Sequence, residues 1–425
     1  MNIINWNKIN EDAKQKILNR TIANNNNIQK NVAEIIAKVR KDGDDALLYY
    51  AELFDGVKLD TIKISVNDSD TKIKDAINNA YERIWAFHEL QVPKNITLDE
   101  FEIKAWKSWL PIENVGLYIP GGTAPLVSTL LMLAIPAKLA GCKQIVCVTP
   151  PNNKGQADSS ICYAAELCGL DLVFASGGAQ AIAALAYGSE SIPKVDKIFG
   201  PGNKFVTEAK IQVAKDPLGA AIDMPAGPSE VMVIADENAN PNIVASDLLA
   251  QAEHDNDAVA ICITTSYQLA DEINNILDKQ LELLMRAEII KNSLKRSAIL
   301  IVEDLAEAFD IANKYAPEHL ILNIDNAKDY VGYVKNAGSV FLGKWSAEAL
   351  GDYASGPNHV LPTYGYAKNY SGLGVESFMK AITFQEVSPQ GLLQLAPTVE
   401  ALANFEGLDA HKKSVSMRRL LLEKK

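Results

Sequence analysis

From about residue 115 the chain is a succession of short apolar runs, each followed by a segment with helical spacing. This alternation limits the possible folds more than any other feature. Residues 115–119, 144–148, 172–175 and 197–199 read as strands, separated by helices over 126–140, 159–167, 179–187 and 204–214. Gly141 is a favoured helix stop. The pattern resumes after 230, with strands at 231–235, 259–264 and 298–302 and helical spacing over 269–294. A further helix opens at Asn240-Pro241, a cap residue followed by a proline with no N–H to lose. Strands alternating with helices indicate parallel sheets covered on both faces. The first 110 residues show helical spacing at 31–54 and 73–90 with one short strand, and from about 376 the chain reads as mainly helical with a charged tail.

At 425 residues the chain exceeds a single core, which rarely grows past roughly 250–300 residues. The net charge of −12 argues against nucleic acid as a partner, because phosphate binding requires a basic face. No uninterrupted apolar run reaches about 18 residues, so no membrane span is expected. The nearest candidate, 126–140, contains Pro136. The first residues lack a basic head followed by an apolar core, so no secretory signal is expected. The five cysteines are odd in number, show no CxxC spacing and lie mostly in apolar runs, which reads as reduced core residues in a cytoplasmic protein. The only low-complexity tract is Asn24–Asn27.

Four of the five histidines fall in the C-terminal half, each in a short polar motif. On a helix over 242–255, Asp247, Gln251 and His254 are spaced by four and three and share a face, from which Gln251 and His254 could address one metal. A solvated polar stripe has the same spacing. Glu318-His319, between a helix and a strand-like run, suits acid/base work but equally describes a surface pair. Residues 350–359 read as a loop that could bring Asp352 and His359 to one site, or simply as a turn. His411 lies on the final helix with Glu406 five residues before it, and His88 sits in an aromatic run without polar company. Gln251, His254, Asp352 and His411 form an all-nitrogen and oxygen ligand set suited to zinc, with manganese or cobalt also fitting. Gly121-Gly122, Gly177-Gly178 and Gly200-Pro201-Gly202 each follow a strand and open a helix, where backbone N–H groups can cradle phosphate. There is no GxGxxG, and ordinary strand-to-helix turns share this signature. Residues 226–230 form a further tight polar loop.

Taken in order, these segments closely resemble the histidinol dehydrogenase family. They are Gly116–Gly122, Gly177–Ala183, Gly200–Asn203, Pro225–Glu230, Gln251–Asp255, Ala316–Leu320, Gly351–Tyr353 through His359–Thr363, and Ala410-His411. The fold expected is α/β, with two Rossmann-like globules, each an incomplete doubly wound and mainly parallel sheet, plus helical N- and C-terminal segments. The expected division is a helical segment at 1–20, a discontinuous globule of 21–117 and 231–373 carrying the zinc and catalytic residues, an NAD-binding globule of 118–230, and a tail of 374–425 crossing to a partner subunit. The resemblance implies a homodimeric, zinc-containing, NAD-dependent alcohol and aldehyde dehydrogenase of histidine biosynthesis. It oxidises L-histidinol to L-histidine through a retained aldehyde, with one zinc per subunit. It implies Gln251, His254, Asp352 and His411 as zinc ligands and Glu318 and His319 as the catalytic pair. Ser229, His359 and Glu406 join the ligands and the catalytic pair as substrate contacts, and Tyr118, Gln180 and Asn203 as NAD contacts. His411 and Glu406 would complete the partner's site. A related dehydrogenase acting on another alcohol, a zinc hydrolase, and a non-catalytic metal-binding scaffold are the competing readings.

Overall fold

The computed structural model describes residues 1–20, 26–66, 71–100, 102–121, 125–225 and 227–424. Gly122, Ala226 and the first half of the asparagine tract lie outside the described residues. The chain divides into two compact units, 1–91 with 112–378, and 92–111 with 379–425.

The first unit contains two six-stranded sheets. One runs Asn2–Asn5, Ala298–Ile301, Val259–Thr264, Glu230–Ala235, His319–Asn323, Ser339–Leu342, with every neighbouring pair parallel. Its central strand, Glu230–Ala235, is buried along its whole length. Val231, Val233 and Ala235 enter a core with helices Pro241–Ala252 and Tyr267–Leu281, while Met232 and Ile234 enter another with helix Leu305–Tyr315. Burial on both faces explains why this strand reads as a continuous apolar run rather than an alternation.

The other sheet runs Lys63–Ser65, Leu172–Ala175, Gln144–Thr149, Asn114–Tyr118, Lys197–Phe199, Ala221–Ile222. All pairs are parallel except the antiparallel edge formed by Lys63–Ser65. Chain order reverses between Asn114–Tyr118 and Lys197–Phe199, and the crevice beyond the carboxyl ends of strands at such a switch is the usual place for a ligand. Tyr118, Gly177-Gly178 and Gly200 all lie at that edge. Gly200 (φ 123°) brings the turn so close that a Cβ would lie 2.2 Å from the Tyr118 carbonyl oxygen. Its N–H donates to Asp223 Oδ2 (2.9 Å), and its carbonyl accepts from Lys210 Nζ (2.8 Å). Lys210 and Asp223 are themselves a buried ion pair at 2.5 Å.

Several expectations change. The N-terminal segment is not purely helical: Asn2–Asn5 adds an edge strand beside Ala298–Ile301 before helix Glu11–Asn19. Residues 26–66, expected with the sheet of the catalytic candidates, pack on the other one. Val32, Ile35, Val39 and Leu47 share a core with Val146, Val148 and Ile182. The helical stretch 269–294 is two helices, Tyr267–Leu281 and Ala287–Leu294.

The second unit is a three-stranded antiparallel sheet, Met379–Val387, Ile103–Pro111, Ile96–Glu100, with helices Pro389–Phe405 and Asp409–Glu423. Trp106 stacks on Phe384 across it, with ring centroids 5.1 Å apart. Met379–Val387 sets Ile382 and Phe384 among Lys380 and Glu386 on one face and Thr383 and Gln385 among apolar residues on the other, so the period-2 signal that marks a half-buried strand is missing.

Replacing Lys210 by Met leaves Asp223 buried without its partner. Urea denaturation is expected to show a loss of about 3–5 kcal/mol, and an unchanged midpoint would mean that the pair contributes nothing to the Gly200 turn.

Candidate active site

Asn240 caps helix Pro241–Ala252 through its side chain, which accepts from Asn242 N–H at 2.9 Å. The helix ends three residues short of the expected 255. His254 therefore does not share a helical face with Gln251; it follows the last turn, its N–H bonded to the Gln251 carbonyl (3.2 Å). Asp247 and Gln251 are buried, so the stripe faces inward rather than toward solvent. Gln251 is fully enclosed, and neither amide atom has a hydrogen-bond partner.

The segment expected as a loop from 350 opens instead on a short helix, Glu348–Tyr353. Glu348 and Asp352, four apart, lie on one side of it. His254, Glu348 and Asp352 offer ligand atoms all within 4.8 Å of one another, and His254 Nε2 is 3.9 Å from Asp352 Oδ2. Sequence reasoning missed Glu348, because its spacing from Asp352 carries meaning only once the segment is helical.

His319 opens strand His319–Asn323 opposite Val231. Glu318 Oε2 accepts the Glu230 N–H at 2.8 Å, and the Ser229 hydroxyl bonds the same carboxyl group. His319 Nδ1 lies 3.2 Å from the Glu230 carbonyl oxygen. A carbonyl only accepts, so Nδ1 carries the hydrogen and Nε2 keeps its lone pair, 3.9 Å from Asp352 Oδ1. Glu348 Oε1 is 3.4 Å from His319 Nδ1.

His359 joins the same site, with Nδ1 donating to the Asp352 carbonyl oxygen (2.7 Å) and Nε2 3.3 Å from Thr129 Oγ1. Its neighbour Asn358 is locked. The amide nitrogen meets Met132 O (2.7 Å) and His88 Nε2 (3.2 Å), and the amide oxygen accepts from Val360 N–H (2.9 Å). His88, buried and without polar company in sequence, is thus part of the support under the His359 loop. A cavity of about 300 Å³ is lined by His319, Asp352 and His359 together with Phe341, Leu342 and Leu361.

The electrostatics are those of an acidic pocket. Burial pushes Glu318 and Glu348 well above the usual carboxylate range, and the neighbouring carboxylates push the same way. Asp352 is also raised by burial, opposed by His254. Burial lowers His254, against the pull of Asp352, and takes His319 down to about 3. Crowded carboxyls beside neutral imidazoles and an unpartnered buried amide fit a divalent cation, which would reverse the direction for its carboxylate ligands.

Of the NAD candidates, the Tyr118 hydroxyl accepts from the Gly178 N–H (3.2 Å), tying strand to turn. Gln180 is buried against Gly178, whose φ of 63° and contact with the Gln180 amide leave no room for a side chain. Asn203 is exposed and caps helix Lys204–Lys215, accepting from Phe205 and Val206 N–H. Gly178 and Gln180 thus lie in the first turn of one helix and Asn203 caps another, with the N–H groups of Gly178, Phe205 and Val206 already donated within the chain. Glu406 and His411 belong to the second unit and are exposed. Glu406 ends helix Pro389–Phe405 and His411 starts the next, so they are on separate helices.

A family model described as histidinol dehydrogenase matches residues 18–419. Among curated relatives, the histidinol dehydrogenase of Vibrio parahaemolyticus is 49% identical, with 98% of each chain covered. That of Haemophilus influenzae is 51% identical over 98% of this chain and 99% of its own. The crystal structure of histidinol dehydrogenase from Elizabethkingia anophelis is similar at a TM-score of 0.93 and 42% identity, covering 98% of this chain and 97% of that one.

Asp247 provides a pH test. Burial raises its folded-state pKa to about 6, against about 3.9 unfolded. Below both values the carboxyl is protonated in either state and costs nothing, while above pH 6 its ionised form opposes folding by about 2–3 kcal/mol. In metal-stripped protein, Asp247→Asn is therefore expected to stabilise by that amount at pH 8 and negligibly at pH 3, measured by urea denaturation. Equal gains at both pH values would exclude ionisation as the cause.

Proposed function

The chain belongs to the histidinol dehydrogenase family, and from that premise we propose how its own residues carry out the NAD-dependent oxidation of L-histidinol to L-histidine. The convergence of His254 and His319 on Asp352, with Glu318 beside His319 and with His319 and Asp352 lining one cavity, carries the reading; the unpartnered amide of Gln251 lies one turn before His254. Gln251, His254 and Asp352 would hold a zinc ion, with His411 supplied by a second copy of the chain. Zinc, when bound, would anchor the imidazole and amine nitrogens of histidinol and hold its alcohol in place. NAD, when bound beside Tyr118, Gln180 and Asn203, would accept hydride.

His319 takes the hydroxyl proton at Nε2, the nitrogen left free by the Nδ1 contact to Glu230. Burial keeps the ring neutral, so that nitrogen holds a lone pair for the proton. Glu318, raised by burial and held by Glu230 N–H and Ser229, serves the second half-reaction. It takes a proton from water as the aldehyde is hydrated, and His319 then takes the hydrate's proton as the second hydride leaves. His359 and Ser229 line the substrate side, and Glu406 joins them from the partner with His411. The second unit leaves Leu402 and Phe405 57% and 91% exposed, apolar surface that a homodimer would cover.

The deciding measurement is NADH formed per mole of limiting L-histidinol by zinc-loaded protein. Two equivalents with histidine as product are expected, and a single equivalent would remove Glu318 from its role. His319→Asn should keep its zinc while turnover falls about 10²–10⁴-fold, and normal turnover would exclude it as the base. Glu318→Gln should spare the first oxidation more than the second, resolved by supplying the alcohol and the aldehyde separately.

A further inference from the structure

Glu318 and His319 are both oriented by the main chain of one residue, Glu230, through the N–H to Glu318 Oε2 (2.8 Å) and the carbonyl to His319 Nδ1 (3.2 Å). Glu230 is in turn held by its side chain. Its carboxylate, almost wholly buried, receives a two-pronged contact from Arg20: Nε to Oε1, and Nη2 to Oε2 at 2.6 Å. The Tyr364 N–H bonds the same carboxylate. Arg20 has donors to spare. Nη1 reaches the Tyr315 carbonyl (3.0 Å) and Nη2 the Ala316 carbonyl (3.4 Å), while the guanidinium lies 3.6 Å from the centroid of the Tyr315 ring. One planar group therefore binds both the start of strand Glu230–Ala235 and the turn that leads into Glu318-His319.

The backbone here is also unusual. Among the described residues, five that are not glycine have positive φ, and three of them surround this ion pair: Arg20 (57°), Ala316 (54°) and Tyr364 (53°). Gly365 (φ 76°) completes the group, since a Cβ there would lie 3.1 Å from Arg20 Nη1. Strained backbone persists where surrounding contacts over-determine it, and it gathers at sites that need pre-set geometry. A buried ion pair is a weak source of stability, but a rigid bidentate fork fixes position well.

We propose that the buried Arg20–Glu230 pair is the positioning device for Glu318 and His319, setting through the Glu230 main chain the direction of one carboxyl and the free nitrogen of one imidazole. Arg20 touches neither reacting group's proton-bearing atoms; it acts through Glu230 and the 315–316 turn. The inference rests on the reading of Glu318 and His319 as the two proton acceptors.

Arg20→Met alone would strand the Glu230 carboxylate, so the test uses Arg20→Met/Glu230→Gln, with folding followed by circular dichroism and zinc by metal analysis. Turnover of L-histidinol is expected to fall about 10²-fold, the scale of a small misplacement of acting groups, with KM changed by less than about threefold. Introduced into His319→Asn, the same double change should cost the first oxidation less than about twofold, because the imidazole that acts in that step is already gone and Glu318 acts only in the second. An undiminished rate, or an equal loss in the His319→Asn background, would overturn the proposal. Arg20→Lys keeps the charge but not the fork, and is expected to restore only part of the rate; full restoration would also count against it. The ¹⁵N signals of His319, assigned by their loss in His319→Asn, provide a readout that needs no substrate. They should report the Nδ1–H form in the parent and a mixture in the double variant, and an unchanged tautomer would sink the idea. If the parent protein does not oxidise histidinol, the functional reading fails while this nitrogen readout still decides the positioning.

Discussion

Parallel pairing of Glu230–Ala235 with His319–Asn323 is the contact on which the site is built. Its register sets Val231 opposite His319, which places the Glu230 N–H and carbonyl at the strand mouth beside Glu318 and His319. The residues that use them are Glu318 and His319. The apolar side chains of the same strand enter cores on both faces, so the main chain at 230 cannot shift without disturbing both. The geometry of the acid/base pair is thus inherited from the most deeply buried strand in its sheet.

Around that pair the pocket collects more carboxyl groups than it can ionise together. Glu230 is neutralised by Arg20, but Glu318, Glu348 and Asp352 share one space with imidazoles that burial keeps uncharged. Such a cluster persists if its members stay protonated or if a cation joins them. The unpartnered Gln251 amide favours the cation, since a buried amide with no hydrogen bond is costly in the absence of any partner. The same groups that destabilise an empty pocket are therefore suited to hold an ion within it.

Much of the fold was legible because parallel strands buried on both faces read as uninterrupted apolar runs. Residues 172–175, 197–199 and 259–264 have the bounds expected of them. The motif residues of the first unit were legible as candidates too, and the structure brings His254, Asp352, His359, Glu318 and His319 together. What sequence did not reveal depends on contacts distant in the chain. Arg20 meets Glu230 across 210 positions, and His88 meets Asn358 across 270. Neither side chain has a local pattern that announces a partner. Strand Met379–Val387 escaped notice because no face of it is cleanly apolar, and Glu348 because six helical residues give too short a period to detect.

The two sheets of the first unit use opposite edges. Tyr118, the Gly177-Gly178 turn and Gly200 lie beyond the carboxyl ends of their strands, at the switch in chain order. Glu230, Glu318 and His319 lie at the amino ends of theirs, although that sheet also has a switch between the same two strands. The difference follows from what each edge offers. Strand-to-helix turns at a carboxyl edge present the N–H groups of helix starts, which suit a phosphate-bearing ligand. An amino edge receives chain arriving from helices, and here it receives Ser229-Glu230 and Pro317-Glu318, whose acceptors suit protons and cations instead. The two edges therefore keep the acidic pocket's negative charge away from the helix N-termini at the carboxyl edge of the other sheet.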